Sequence, residues 1–339
     1  MYDENGVYDG VDHKWNHLIN NVVFKFDNLC YIQMNFRRLD NGEITDDDIT
    51  TLTNMITIIG KEDSNSLVKN VRKLQNDVSE MERMEPISSI NIEHGRAYNA
   101  SYVFVRIPKL TSCGTSLRPK VCLTSDSGTA DGNVLSPLTY ARKHKTIFAV
   151  NAGLFNTDTR LPEGQTIIDG VSITNKPMTD DMGYPISDTE CYPLCIDANG
   201  DLSATYSRSV DTADMIIDGV IHAVTGWGKI IDNFEACADT VENEIVHGGT
   251  YIRQVIGQFQ NGDYFVCTVD QTRNNVENEA GITYADLAEL LISKGVKFAY
   301  SLDGGGSAAT VIGDRQLSPI YEGTTGRAVP TVIVFEEVK

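Results

Sequence analysis

Residues 281–307 read GITYADLAELLISKG, VKFAYSL and DGGGS in direct succession, and no other stretch restricts the fold as much. Thr283 is placed to cap a helix with Asp286 three residues on. Leu287, Leu290 and Leu291 share one face, and Gly295 closes the helix. The apolar run that follows reads as a strand, and it feeds straight into three glycines. Strand, helix, strand and glycine loop imply an α/β arrangement (mixed α+β): a mixed β-sheet domain with flanking helices.

The surrounding segments extend that sheet. ASYVFVRIPKL, HKTIFAVNAGLF and PTVIVFEEV are β-like runs. CIDANGDLSATY and IGQFQNGDYFVCTVD centre apolar runs on Asn199-Gly200 and Asn261-Gly262, the dipeptide that favours tight hairpins. These signals begin near residue 98, so residues 98–339 are expected to form the main domain.

Residues 1–97 read differently, as an N-terminal attachment or oligomerisation region with helices over about 45–59 and 64–84. In the second, Leu67, Val71, Leu74, Val78 and Met81 alternate four- and three-residue steps. That spacing suits a short coiled-coil seam or an amphipathic helix packed on its own domain.

Charge excludes some partners. With 28 basic and 47 acidic side chains the net charge is −19, which repels nucleic acid and anionic membrane surfaces but leaves room for a local pocket holding one phosphate. No run of about 18 apolar residues appears, and the acidic, polar start lacks the pattern of a secretory signal. The 7 cysteines form no CxxC pair, so a zinc site is not expected, and free thiols in a reducing compartment are the reading. No metal ligand and no cofactor is assigned, and a cation among Asp side chains stays open.

The glycine loop carries the chemistry worth testing. Asp303 precedes Gly304, Gly305 and Gly306, and Ser307 follows them. Such a loop is either a tight turn or a set of N–H groups converging on an anion. It has no Lys-Ser or Lys-Thr after the glycines, so it is not a P-loop, and the GxGxxG of a dinucleotide site is absent at this junction. Elsewhere, a strand ends in Asn151, Ala152, Gly153 and Phe155, and Gly164 leads to Asp169 and Gly170. Arg253 stands in an otherwise apolar strand, where an arginine must be paired or face a ligand.

In order, NAGLF (151–155), GQTIIDG (164–170), RQVIG (253–257), the 281–295 helix, LDGGGS (302–307) and GRAVPTVIVF with Arg327 resemble the phosphodiester glycosidase family over about residues 100–337. Ala152, Leu154 and Gln254 depart from the glycine, phenylalanine and threonine usual there, which bears on substrate fit more than on chemistry. The resemblance implies hydrolysis of a sugar-1-phosphodiester at the anomeric carbon through an oxocarbenium-like transition state. It assigns Asp303 as the carboxylate, Arg253 and Arg327 as phosphate clamps, Gly304 to Gly306 as an N–H cradle, and Asn151 and Ser307 as hydrogen-bonding groups. Gly153 and Asp169 join the substrate-binding set, His247 is a minor proton donor, and Asp169, Asp232 and Asp270 compete as a second carboxylate.

Two further readings follow from the architecture. One is a glycan- or receptor-binding module that keeps the fold without turnover. The other is context: an acidic chain with an N-terminal extension before a carbohydrate-active domain suits a phage tail protein, located in the virion or otherwise cytoplasmic. Its partners would be a glycan or sugar-phosphate polymer of the cell wall, other tail proteins and copies of itself, a trimer among the options.

Overall fold

The computed structural model describes residues 86–338 except 113, 176–191, 208, 239–248 and 271–280. The expected helices over 45–59 and 64–84, and His247, lie outside the described residues. The chain divides between Glu80 and Met81. The sheet domain already includes the strand Asn91–Ala97, paired along its length with Ala100–Ile107, so it begins ahead of the boundary expected at 97/98.

Among the described residues of the domain the strands form three antiparallel sheets. The large one runs, edge to edge, Asn91–Ala97, Ala100–Ile107, Tyr264–Val269, Arg253–Phe259, Val296–Ser301, Gly228–Asp232 and Glu235–Ala236. The second runs Arg315–Gln316, Thr310–Ile312, Phe148–Asn151, Thr331–Val338 and Ser116–Leu123. The third runs Val171–Asn175, Gln165–Ile168, Val220–Thr225, Pro193–Asp197 and Leu202–Ser203. Both Asn-Gly hairpins form as the sequence implies, joining Pro193–Asp197 to Leu202–Ser203 and Arg253–Phe259 to Tyr264–Val269.

The architecture is mostly β, with few helices, and narrower than the α/β expectation. Among the described residues the helices that cover the sheets are α1 (Pro137–His144), α2 (Thr212–Ile217) and α3 (Tyr284–Ser293). Helix α3 follows the sequence reading closely: the Thr283 hydroxyl accepts from the Asp286 N–H at 3.1 Å, and Gly295 takes φ +76° just past the end. Yet α3 does not yield a parallel pair. Tyr264–Val269 and Val296–Ser301 run the same way, but Arg253–Phe259 inserts between them and pairs antiparallel to both. A helical crossover spanning one interposed strand therefore leaves every ladder among the described residues antiparallel.

Burial explains the stacking. Val105, Ile256, Val266 and Tyr300 of the large sheet meet Leu117, Phe148, Ile333 and Phe335 of the second and Leu194 and Val224 of the third in one core. Each helix covers an outer face: α3 sets Leu287 and Leu291 on Val255, Phe265 and Cys267; α1 sets Leu138 and Ala141 on Ala149 and Val332; α2 sets Met215 on Ile167 and Ala223. Alternating strand residues thus find apolar partners on both sides of each sheet, as a layered domain requires.

Candidate active site

The site forms where several strands of the large sheet end together. Arg253 pairs with Val269, Val255 and Gly228 both pair with Ser301, and the Asp270 N–H donates to the Ser101 carbonyl at 2.7 Å. This edge therefore collects Ser101, Asp270, Arg253 and the start of the glycine loop. Asp270 and Gly304 flank Ile252, so two strand spacings separate them, about 10 Å.

Steric demand accounts for the glycines. A Cβ on Gly304 would lie 2.5 Å from the Ile252 carbonyl oxygen, and one on Gly306 would lie 2.7 Å from the Arg327 guanidinium. Gly305 takes φ +56°, a left-handed conformation that favours glycine. The loop then makes one 3-10 turn, Gly305–Ser307. The expected N–H cradle takes a different form, because its donors largely point inward. Gly305 N–H donates to Ile252 O at 3.0 Å, Ser307 N–H to Gly304 O at 3.1 Å, and Gly304 N–H to the Asp303 carboxylate. The backbone holds the loop against its neighbour strand and steadies Asp303.

Asn151 ties this loop to the second sheet. Its Nδ2 donates to the Asp303 carbonyl at 2.7 Å, and its Oδ1 accepts from the Ala309 N–H at 3.0 Å. The residue is fully buried with both ends of its amide engaged, so it braces the loop where the sequence reading expected a substrate contact. Gly153 is likewise a packing position: its N–H donates to Thr331 Oγ1 at 3.3 Å, and a Cβ would lie 3.0 Å from the Thr225 carbonyl.

Asp303 is half-buried, and burial pushes its carboxyl up to about 6 against the opposing pull of the Ser307 hydroxyl, the Arg327 guanidinium and the Gly304 N–H. Arg327 Nη1 donates to Ser307 Oγ at 3.3 Å, and Ser307 bonds Asp303 in turn. Arg327 Nε also pairs with Glu322 Oε2 at 2.6 Å. The Arg327 guanidinium bonded to Glu322 holds its carboxyl below the usual range, with a smaller pull from Arg160. Tyr321, one residue earlier, donates its hydroxyl to Asp270 Oδ1 at 2.8 Å.

Arg253 lies on the strand beside the glycine loop, and its partners include aromatic rings and backbone carbonyls. Its guanidinium lies 3.8 Å from the Tyr284 ring centroid and 4.9 Å from that of Tyr251, and it donates to the carbonyls of Ile282 at 3.3 Å and Gly249 at 3.0 Å. Burial is the main influence on it and lowers its pKa, while the two tyrosines act in the opposite sense. The cation that acts on Asp303 is Arg327. Replacing Arg253 with alanine should therefore lower stability by about 2–4 kcal/mol, as buried carbonyls lose their donor, with kcat/KM of the folded fraction changed by less than about tenfold. Thermal unfolding and assays below the transition check this; lost turnover at an unchanged melting temperature would restore the clamp role.

The other acidic candidates separate by position. Asp169 occupies the turn of the hairpin Gln165–Ile168/Val171–Asn175 at φ +51°, 3.4 Å from Lys120 Nζ. Gly164 at the near end of that hairpin touches Thr225, which places Asp169 roughly 16 Å further along the strand. Asp232 is exposed at the end of Gly228–Asp232 and pairs with Lys229 at 2.6 Å. Asp270 alone of the three shares the edge that leads to Asp303. Sequence reasoning passed over Arg160, Tyr321 and Glu322, which lie in turns without apolar periodicity. Among the described residues no group of three or more His, Cys, Asp or Glu is placed to hold a metal ion.

The family profile for phosphodiester glycosidase matches residues 144–336, more than half of the chain. The chain belongs to that family. The phosphodiester glycosidase match spans Asn151, Arg253, Asp303 and Arg327. A Bacillus subtilis relative, the SPbeta prophage-derived uncharacterized protein YomE, is 24% identical over 197 residues, which are 58% of this chain and 29% of that protein. This chain thus spans less than a third of its relative's length. Two solved structures share the phosphodiester glycosidase fold seen here. One is the catalytic domain of zebrafish N-acetylglucosamine-1-phosphodiester α-N-acetylglucosaminidase, auto-inhibited by its pro-peptide, with TM-score 0.56, 20% identity, and coverage of 74% of this chain and 82% of that one. The other is a hypothetical protein from Synechocystis, with TM-score 0.50, 18% identity, and coverage of 74% and 62%.

Proposed function

We propose that this phosphodiester glycosidase domain hydrolyses a sugar-1-phosphodiester, releasing free sugar and a phosphomonoester. One observation carries the reading: a desolvated carboxyl, Asp303, linked through Ser307 to the guanidinium of Arg327 at the end of a rigid sheet. Cleavage between the anomeric carbon and the phosphate oxygen builds positive charge on the sugar, and an ionised Asp303 in a poorly solvated position stabilises that charge strongly. The phosphate leaves readily, so binding its negative charge matters more than protonating it, and Arg327 is the cation at hand. In this reading Asp270, which accepts from the Tyr321 hydroxyl at the same sheet edge, serves as the second carboxylate that activates water.

The prophage-derived relative supports a phage setting. In that setting the domain acts on a cell-wall sugar-phosphate polymer as part of a tail, with the residues up to Glu80 serving attachment or trimer formation. The rival reading, a virion module that binds glycan or receptor without turnover, draws on the engagement of both expected clamp arginines inside the protein. Incubating the full chain with the methyl ester of a sugar-1-phosphate separates the two. Release of reducing sugar together with methyl phosphate is expected; binding with no sugar released over long incubation would establish the rival.

A further inference from the structure

The sheet edge that carries Asp270 continues past it, away from Asp303. His94 pairs with Val103 and Val103 with Thr268, so these three side chains share one face of the large sheet. Ser101 and Asp270 each stand two residues from a member of that row, which puts them on the same face. Leu317 and Pro319, just past the strand Arg315–Gln316, complete the wall of a cavity of about 360 Å³. That volume is within the range of small-ligand sites. Counted from Gly304, Ser101 lies three strand spacings along the edge and His94 four, about 19 Å in all.

Both walls are held in place by the fold itself. On one side the Tyr102 hydroxyl donates to Glu93 Oε1 at 2.7 Å, and Lys294 Nζ donates to the same oxygen at 2.8 Å, tying the edge strand to the end of α3. Opposite, the Leu317 N–H donates to Thr310 O at 2.8 Å, and Gln316 Nε2 donates to Pro319 O at 2.8 Å. Thr268 Oγ1 bonds Gln254 and Thr310 at 2.9 and 2.6 Å, so it serves the core. The other polar side chains of the lining are His94, Ser101 and Asp270, set against the apolar surfaces of Val103, Leu317 and Pro319. Such a lining suits a sugar ring, whose C–H faces meet apolar surface while its hydroxyls reach a few polar groups. It does not suit a phosphate, because no Lys or Arg lines the cavity and a carboxylate does.

We propose that this cavity is a subsite for a second, neutral sugar unit, carried by the sugar whose anomeric carbon is cleaved. The inference rests on the sugar-phosphate reading above and adds to it the length of the ligand. Arg327 marks the phosphate end, beside Gly306, and the cavity lies at the other end, past Asp270. The second unit therefore extends from the sugar and not from the phosphate. His94, exposed on the edge strand, hydrogen-bonds a hydroxyl of that unit and sets the preference for it. The wall from His94 to Val103 precedes residues 144–336, which the family profile matches, so this preference belongs to the chain's own first hairpin.

The test compares, on the full chain, the methyl esters of N-acetylglucosamine-1-phosphate and of its disaccharide counterpart, chitobiose-1-phosphate. Wild type should cleave the disaccharide ester with about tenfold higher kcat/KM. Calorimetric titration with free chitobiose and free N-acetylglucosamine should show a similar ratio, about tenfold, in affinity. His94→Ala should bring both ratios close to one, and His94→Gln, which keeps a hydrogen-bonding group, should restore most of the difference. Equal kcat/KM and equal affinity for the two lengths in wild type overturn the subsite, and so does absence of binding by both sugars. Ratios unmoved by His94→Ala remove His94 from it. A gain seen only when a second sugar replaces the methyl group on the phosphate overturns the sugar-side placement. The two readings fail separately. Tighter chitobiose binding that His94→Ala abolishes, with neither ester cleaved, leaves the subsite standing and sinks the hydrolase reading, whereas cleavage of both esters with equal efficiency does the reverse.

Discussion

Asp303→Asn should lower turnover of a sugar-1-phosphodiester by about 100- to 1,000-fold, because the group that meets the developing positive charge is gone. The same change should raise stability at neutral pH. The carboxyl titrates at about 6 in the folded protein, above the roughly 3.9 of an unfolded chain. Between those values the folded protein holds a proton that the unfolded chain has released. The cost of an ionised Asp303 is therefore absent below about pH 4, grows as pH rises, and is complete above about pH 6, on the order of 2–3 kcal/mol at most. Asparagine removes that cost. Asp303→Asn should melt above wild type at pH 7.5, and the gap should close below pH 4. In wild type, kcat/KM should rise with pH through a midpoint near 6. A rate that falls through that midpoint would make the protonated acid the working form.

Asn151→Ala should carry the largest loss of stability among the site residues. It leaves the Asp303 carbonyl and the Ala309 N–H without their partner in a fully buried place. At about 1–3 kcal/mol for each orphaned group the loss comes to roughly 2–5 kcal/mol. In a domain of this size that lowers the melting temperature by roughly 5–15 °C. Turnover should fall as well, since the carbonyl that Asn151 holds belongs to Asp303 itself. Asn151→Asp keeps the acceptor for Ala309 but loses the donor to Asp303 and adds a charge, so it should be no milder. A melting temperature unchanged in both variants would remove the bracing role.

Helix α3 was legible in the sequence because cap, apolar face and closing glycine lie within fifteen adjacent positions, and local geometry decides all three. The Asn-Gly hairpins were legible for the same reason. The strand order was not: whether Val296–Ser301 sits beside Tyr264–Val269 or one strand away depends on which neighbour buries more apolar surface, a property of the assembled layers. Short α1 also escaped notice, although Ser136 and Pro137 announce it: the Ser136 Oγ accepts from the Thr139 N–H at 3.2 Å, with the proline in the first turn.

At the site the same division holds. Asp303 and its glycines could be found from sequence, and so could Arg327. The direction of the loop's N–H groups could not, because it is set by Ile252 on another strand. Arg253 looked like a ligand-facing cation because its strand is apolar, and the two tyrosine rings that receive it become visible only in three dimensions. Tyr321 and Glu322 have no periodic context at all, and their partners Asp270 and Arg327 are fixed only by the folded arrangement of strands and loops.

The bonds made by Asn151 have a kinetic consequence. They join positions 152 and 158 residues apart in the chain. Contacts of such long range close late and slowly, since the entropy of joining distant segments must be overcome before they form. The glycine loop should therefore lock only after the second sheet has docked on the large one. In refolding from denaturant, recovery of hydrolytic activity should lag behind recovery of β-structure.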